Sequence, residues 1–446
     1  MPAMSLSTDP RIIFSDKPIV IQTRQSNSQC STDGLTTPYA TGKFNFHREH
    51  SGRLPTKPPF AFLSRFPDPA TVKTLIIQQD RGLLERTIFA PLPPMQYLLP
   101  FMKVVMEDIN KLYPLFTTES RLTMLLQQQA PGPGDCQGNP SRWATLNALL
   151  AMAIQWKSAS NGFEEMSAMS WTYFKNAFSV FPELNTQGTE IETCEALLAM
   201  AMFMHGSANA RATSHLIGVT ARSLQVIGLC RRERHRFEDP IVLEQYKRVF
   251  WITHVLSSDA MMKYGLPSAF DVDAVNVELP SEGPTDSLGG FTSTGEPGHI
   301  NIFRYGAELS VIQLRICRRL CQNIALRQSS TEILGTVAEL DRELETWKSR
   351  LPELIRPSYD SMPFTTMLDT SVTQLHFSYY NAVGRIHMAT AALNHHGAPK
   401  SLQSQDVNNG RERLKVLHSS MTRAAAARAS LVLLQNMPPQ PLAFIW

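Results

Sequence analysis

The sequence predicts an all-α protein, on three observations. Apolar residues recur at intervals of three and four in one segment after another, the period of helices that each bury one face. Glycines and prolines stand just past those periodic runs, where a helix ends. No section is rich in strand patterns, and no internal repeat is visible.

In chain order, residues 1 to 70 are rich in Ser, Thr, Pro and Gly and hold no sustained helical period, so they are expected to form a flexible tail, with 71–446 as one helical domain. A weak helix is expected over Val72 to Phe89, carried by Leu75, Ile76, Leu83 and Leu84. Pro91, Pro93 and Pro94 end it by removing donors and crowding the preceding turn. Leu98, Met102, Val105 and Ile109 then form a 4-3-4 stripe leading to Leu112, Tyr113, Pro114, Leu115 and Phe116, a turn expected to pack inward.

Gly132, Gly134 and Gly138 lie in a loop from Ala130 to Pro140 that faintly echoes a phosphate-binding loop. Pro131 and Pro133 remove two backbone donors, no strand precedes it and no lysine follows, so the loop reads as plain surface. Trp143 and the run Leu146 to Ala153 mix small and large apolar residues, as a closely packed helix does. A further helix is expected from about Ser167 to Phe181.

The organising stretch is Ile191 to Pro280, read as two amphipathic helical segments joined by a basic loop. Ile217, Ala221 and Leu224 line one side of the first, which meets Gly228 as a left-handed cap. Tyr246, Val249, Phe250, Thr253 and Leu256 mark the second, which ends at Gly265 with Pro267 beyond. Glu244 stands four residues before Arg248 on what reads as its wetter side. Ser281 to His299 reads as a surface loop.

Leu309, Ile312, Ile316, Leu320 and Ile324 form the next stripe. Ile333, Val337, Leu340, Leu344, Trp347 and Leu351 form another, stopped by Pro352, whose heptad pattern is too short for a free zipper and is expected to pack within the domain. Val372, Leu375, Tyr379, Val383, Ile386 and Leu393 mark one more helix, and Leu414 to Leu434, with its alanine run at Ala424 to Ala427, the last before Pro438, Pro439 and Pro441.

The order of these features resembles the middle regulatory region of fungal zinc-cluster transcription factors. The resemblance rests on a helix ending in Ile227-Gly228-Leu229, a basic loop, Glu244 with Arg248 to Trp251, Asp259, Gly265 to Pro267, and a strand-like acidic piece closing on Leu279-Pro280. Leu375-His376-Phe377-Ser378-Tyr379-Tyr380 adds a Leu-His-x-x-Tyr-Tyr segment, and the likeness covers roughly Pro93 to the end. Ala260 and Leu266 depart from the pattern, where arginines are common, which puts the local salt bridges in question. It implies a large all-α regulatory domain and a nuclear transcriptional regulator, one of many that govern metabolic or secondary-metabolite gene clusters. Implied partners are proteins of the transcription machinery and a small-molecule effector, with DNA contacted only indirectly or through a zinc cluster. The resembled region continues through several more helices, so the carboxyl end is expected to be cut short.

That zinc cluster needs six closely spaced cysteines, whereas these are scattered at 30, 136, 194, 230, 317 and 321. Their scatter also argues against a disulfide framework. The 42 basic and 39 acidic residues leave a charge of +3, too balanced for the overall field to hold DNA. With 43% hydrophobic and 18% charged residues the chain reads as soluble and globular, no apolar run is long enough to cross a bilayer, and no signal peptide opens it.

No catalytic set, cofactor site or metal site is assembled by these spacings, so an enzyme is not expected. Gly206-Ser207 lacks the second glycine of a nucleophile elbow, and Asp271 with Asp273 reads as structural rather than magnesium-binding. Cys317 and Cys321, four apart beside Arg315, Arg318 and Arg319, could share an ion, yet no third ligand is evident and buried thiols are the better reading. His395-His396 and His47 with His50 are likewise incomplete. Arg231 to Arg236 is either a phosphate-contacting or nuclear-import patch or, as its position after a helix favours, a solvated loop. Two other function classes remain beside the regulator: an interaction or ligand-sensing module with no promoter role, and an all-helical enzyme.

Overall fold

The computed structural model describes residues 88–115, 139–157, 163–188, 190–207, 209–228, 239–270, 277–284, 286–292, 299–321, 328–359, 369–391 and 407–435. The expected tail, most of the Val72 to Phe89 helix, the glycine loop 131–138, the basic loop 231–236, Asp271, Asp273, both histidine pairs and the final prolines lie outside these residues.

Eleven α-helices are present among the described residues: α1 (Met95–Leu112), α2 (Pro140–Lys157), α3 (Phe163–Ser179), α4 (Phe181–Gln187), α5 (Ile191–Gly206), α6 (Ala210–Ile227), α7 (Pro240–Tyr264), α8 (Ile302–Ile316), α9 (Ser330–Arg350), α10 (Thr370–Met388) and α11 (Val407–Gln435). A π-turn, Cys317–Cys321, extends α8. The only described strands, Phe291–Thr292 and His299–Ile300, pair antiparallel as a short hairpin. The all-α prediction therefore holds.

Helix ends follow local chemistry. Asn209, Asp239, Asn301, Ser329 and Asp369 each cap the next helix by accepting a backbone N–H, and Ser329 forms a reciprocal capping box with Glu332. Gly228 takes φ of 81°, so the predicted left-handed cap is real, and Gly265, the expected end of the next helix, closes it the same way at φ of 68°. What reads in sequence as one segment from Ile191 to Gly228 is two helices, because the chain turns at Ser207 and Asn209 restarts it.

Helix packing runs α3, α2, α5, α6, α7, α8, α10, α11, each against the next, with α9 across α8 and α10 and α1 touching both α2 and α8. Two hydrophobic cores result. The first gathers α1 to α7; the second gathers α8 to α11. Helices α7 and α8 belong to both: Val249 to Ala260 and Phe303 lie in the first, Met261, Met262 and Leu309 to Ile316 in the second. Each predicted stripe faces these cores where described, including Leu98, Met102 and Ile109 on α1 and all six positions from Ile333 to Leu351. The heptad stripe of α9 is therefore used inside the domain.

Candidate functional site

Helix α7 carries most of the chemistry. Arg248, placed by sequence on a wetter side, is instead only 2% exposed. Its guanidinium donates to both oxygens of Asp286 at 2.7 Å, a bidentate pair, and stands 3.8 Å from Glu244. Burial pushes the Asp286 carboxyl up, but hydrogen bonds and charge from Arg248, with the Leu288 N–H, hold it below the usual carboxylate range. Glu244 accepts from the Ser281 N–H and hydroxyl at 3.1 and 2.8 Å, and the Trp251 indole donates to the Glu278 carbonyl at 2.8 Å. The start of the stretch read as a surface loop from Ser281 to His299 is tied to α7 at Ser281 and Asp286, as is Glu278 just before it, since a buried guanidinium needs its counter-ion brought to it.

One turn from the end of α7, Asp259 occupies the seam between the two cores. Its Oδ2 lies 2.8 Å from the Lys263 ammonium and 3.3 Å from His205 Nε2, so this buried oxygen is ion-paired to the lysine and faced by the histidine. Burial lowers the His205 pKa, opposed by Asp259 and aided by Lys263. The aspartate thus finds Lys263, i+4 on its own helix, and a histidine from α5, where the sequence has Ala260 and Leu266 in place of the usual arginines.

Two adjoining cavities open at this seam. The inner one, about 60 Å³, is bounded by Tyr113, Val255, Asp259, Phe303, Gln313 and Gln374 among others. The outer one, about 370 Å³, shares Asp259, Gln374 and Ser378 with it and adds Lys263, Asn381 and Arg423. Gln374 donates to the Tyr113 hydroxyl at 3.2 Å while its own Oε1 is buried without a partner. Burial, then the Asp259 charge, raises the Tyr113 pKa, so the phenol stays protonated. An inner cavity with apolar walls, an outer one with polar side chains and a buried acceptor without a partner at Gln374 Oε1 are features of a small-molecule site.

A third concavity, between α7, α8 and α9, is floored by Trp251, His254 and Trp347 and rimmed by arginines and glutamates. Arg315 pairs with Glu343, and Arg350 and Arg304 with Glu308 at 3.1 and 3.7 Å, so three of its four arginines are ion-paired along the rim.

Two histidine–serine contacts merit comparison with a hydrolase. His254 Nδ1 lies 2.8 Å from the Ser310 hydroxyl, and burial lowers the histidine pKa to about 4. His387 Nδ1 lies 3.1 Å from the Ser419 hydroxyl and its Nε2 3.3 Å from Asp341, joining α9, α10 and α11. Both serines are nearly inaccessible, at 1% and 3% exposure, and both sit inside helices, where neighbouring N–H groups are engaged in the ladder and free to form no oxyanion hole. These contacts satisfy buried polar groups between helices.

Cys317 is buried and Cys321 exposed. The two are hydrogen-bonded, which first raises the Cys317 pKa and lowers that of Cys321 to about 7. Among the described residues no group of three or more His, Cys, Asp or Glu could hold a metal ion, and no helix is long and apolar enough to cross a membrane. Sequence reasoning missed Asp286, Gln374 and Tyr113 as site residues. They meet α7 only through the fold, and no local spacing announces them.

Comparison with known proteins gives a consistent result. The profile of the fungal specific transcription factor domain matches residues 110–349. An ABC-transporter-regulating transcription factor of Aspergillus oryzae is 34% identical over 82% of this chain and 41% of that protein. One of the same description from Aspergillus fumigatus is 32% identical over the same shares. The Fusaridione A cluster transcription factor of Fusarium heterosporum is 25% identical over 68% of this chain and 56% of that protein. The chain thus spans about two fifths of the length of the first two. No solved structure matches it significantly.

Proposed function

This chain belongs to the fungal specific transcription factor family, and from that premise we propose that it is a nuclear transcriptional regulator working by contact rather than by catalysis. Its helical domain is the regulatory body. DNA is engaged through another protein or through a zinc cluster that these residues do not carry. Its targets are genes for small-molecule export or for a secondary-metabolite cluster, a reading supported by the likeness to transporter and metabolite-cluster regulators.

The observation that supports a regulatory mechanism best is the seam cleft. It sits where both cores meet on α7 and α8, and it holds the ion-paired carboxylate of Asp259 and the unpartnered acceptor Gln374 Oε1. A small effector filling it would stabilise one arrangement of the two cores over another, the differential contact that any ligand-driven switch requires.

Transcript profiling of a deletion strain is the test. A defined set of transcripts should change and be restored by the wild-type chain. Trp251→Ala, which empties the core beside the strap, should fail to restore it. No transcript change on deletion would refute the regulator reading. Gln374→Leu should restore basal transcription but lose the response to inducing compounds.

A further inference from the structure

Cys317 and Cys321, which in sequence lack a third ligand, acquire one in the fold. The Cys317 sulfur lies 3.3 Å from the Met262 thioether sulfur, within hydrogen-bond range, and Cys317 is also hydrogen-bonded with Cys321. Three sulfurs from two helices therefore converge at the end of α7 and the end of α8. We propose that Cys317, Cys321 and Met262 form a binding site for a single soft monovalent metal ion, copper(I) in particular.

The donor set selects the ion. Two thiols and a thioether are soft ligands that favour copper(I), whereas zinc takes cysteine, histidine and carboxylate donors in a four-coordinate set. With metal–sulfur bonds of ~2.3 Å, three sulfurs around one ion stand roughly 4 Å apart. The Cys317–Met262 separation needs only a small widening to reach that.

Local structure supports the site. The two cysteines lie in a π-turn, an irregularity that occurs often at functional positions. Met262 has none of its surface exposed and Cys317 only 3%, while Cys321 is exposed, which leaves a route for the ion. Binding displaces both thiol protons to solvent and leaves a two-thiolate copper(I) centre with one net negative charge. The Arg385 guanidinium acts on both cysteines and offsets that charge. Arg385 also donates to the Met262 and Lys263 carbonyls, fixing the end of α7 against α10. An occupied site would tie α7 to the extension of α8.

The test is titration of the reduced full chain with copper(I) held by bicinchoninate, read by loss of the coloured complex. Wild type should take up one more equivalent than Cys317→Ser/Cys321→Ser, and Cys194→Ser should match wild type. Met262→Leu, which keeps volume and removes the sulfur, should weaken uptake at that site about tenfold or more. Circular dichroism identifies folded variants, and Cys321→Ser, at an exposed position, gives a second reading should the double variant misfold. X-ray absorption should show three sulfur neighbours. Equal uptake by wild type and the cysteine variants, unchanged affinity in Met262→Leu, or preference for zinc over copper(I) would overturn the proposal.

Discussion

Helix α5 in the first core and helix α9 in the second bury their side chains by opposite patterns. Every residue of α5 from Thr193 to His205 is buried, with α2, α6 and α7 around it. On α9 a single stripe, from Ile333 through Trp347, is buried, and positions between, such as Gly335, Ala338 and Glu339, face water. A helix enclosed on all sides loses the polar face that would reveal its orientation, whereas a helix at the rim keeps it. Substitution in α5 should therefore be costly on any face, and on α9 only along the stripe.

The largest expected effect tests that difference directly. Phe203 is fully buried and stacks on Phe174 at 4.6 Å with Trp171 edge-on at 5.2 Å. Phe203→Ala should cost about 3–5 kcal/mol in urea unfolding. An unchanged midpoint would mean that the first core is not packed as described.

Next comes the strap between the cores. Arg248→Met removes the guanidinium from Asp286 and leaves a half-buried carboxylate unpaired, at a cost of about 2–4 kcal/mol. Adding Asp286→Leu should recover part of that loss. Strict additivity of the two changes would show that the pair is not coupled.

Acid sharpens the comparison at the shared helix. Burial disfavours the charged ring of His254 on α7 and lowers its pKa to about 4 from the ordinary histidine value of 6.5. The unfolded chain then binds the proton first, so stability is present above about pH 6.5 and is lost as pH falls toward 4. Between about pH 7 and 5 the loss from this residue should be about 2 kcal/mol, with His205 and His376 contributing in the same direction. His254→Gln should flatten that limb of the stability profile, and an identical slope in the variant would rule the residue out.

The smallest effect is expected on the wet face of α9. Glu339 pairs with Arg319 at 2.7 Å, but both are exposed to screening water, and Glu339→Gln should leave the urea midpoint unchanged within experimental error. A large loss there would break the contrast between the two helices.

Legibility in the sequence followed the same divide. The α9 stripe, the Gly228 and Gly265 caps and the α1 stripe could be read because each depends on neighbours within a few turns. The break at Ser207 was not readable, since α5 is buried on every side from Thr193 to His205 and its end carries no periodic signal. Arg248 was placed on the wrong side because i, i+4 spacing with Glu244 looks like a solvated pair, while the partner that permits burial, Asp286, lies 38 residues away. The seam cleft was illegible for the same reason: Tyr113, Asp259 and Gln374 come from three distant segments.

By itself the sequence determined that this chain is helical, where its stripes lie and which family it resembles, because helix period, capping and turn chemistry are local properties. Only the tertiary structure decided that α7 and α8 serve two cores, that an arginine is buried on an aspartate from a distant loop, that Cys317 meets Met262 in the second core, and that Asp259 and the unpartnered Gln374 acceptor line one cleft at the seam. Those outcomes depend on which faces meet across long stretches of chain, and the burial that makes them consequential exists only once they have met.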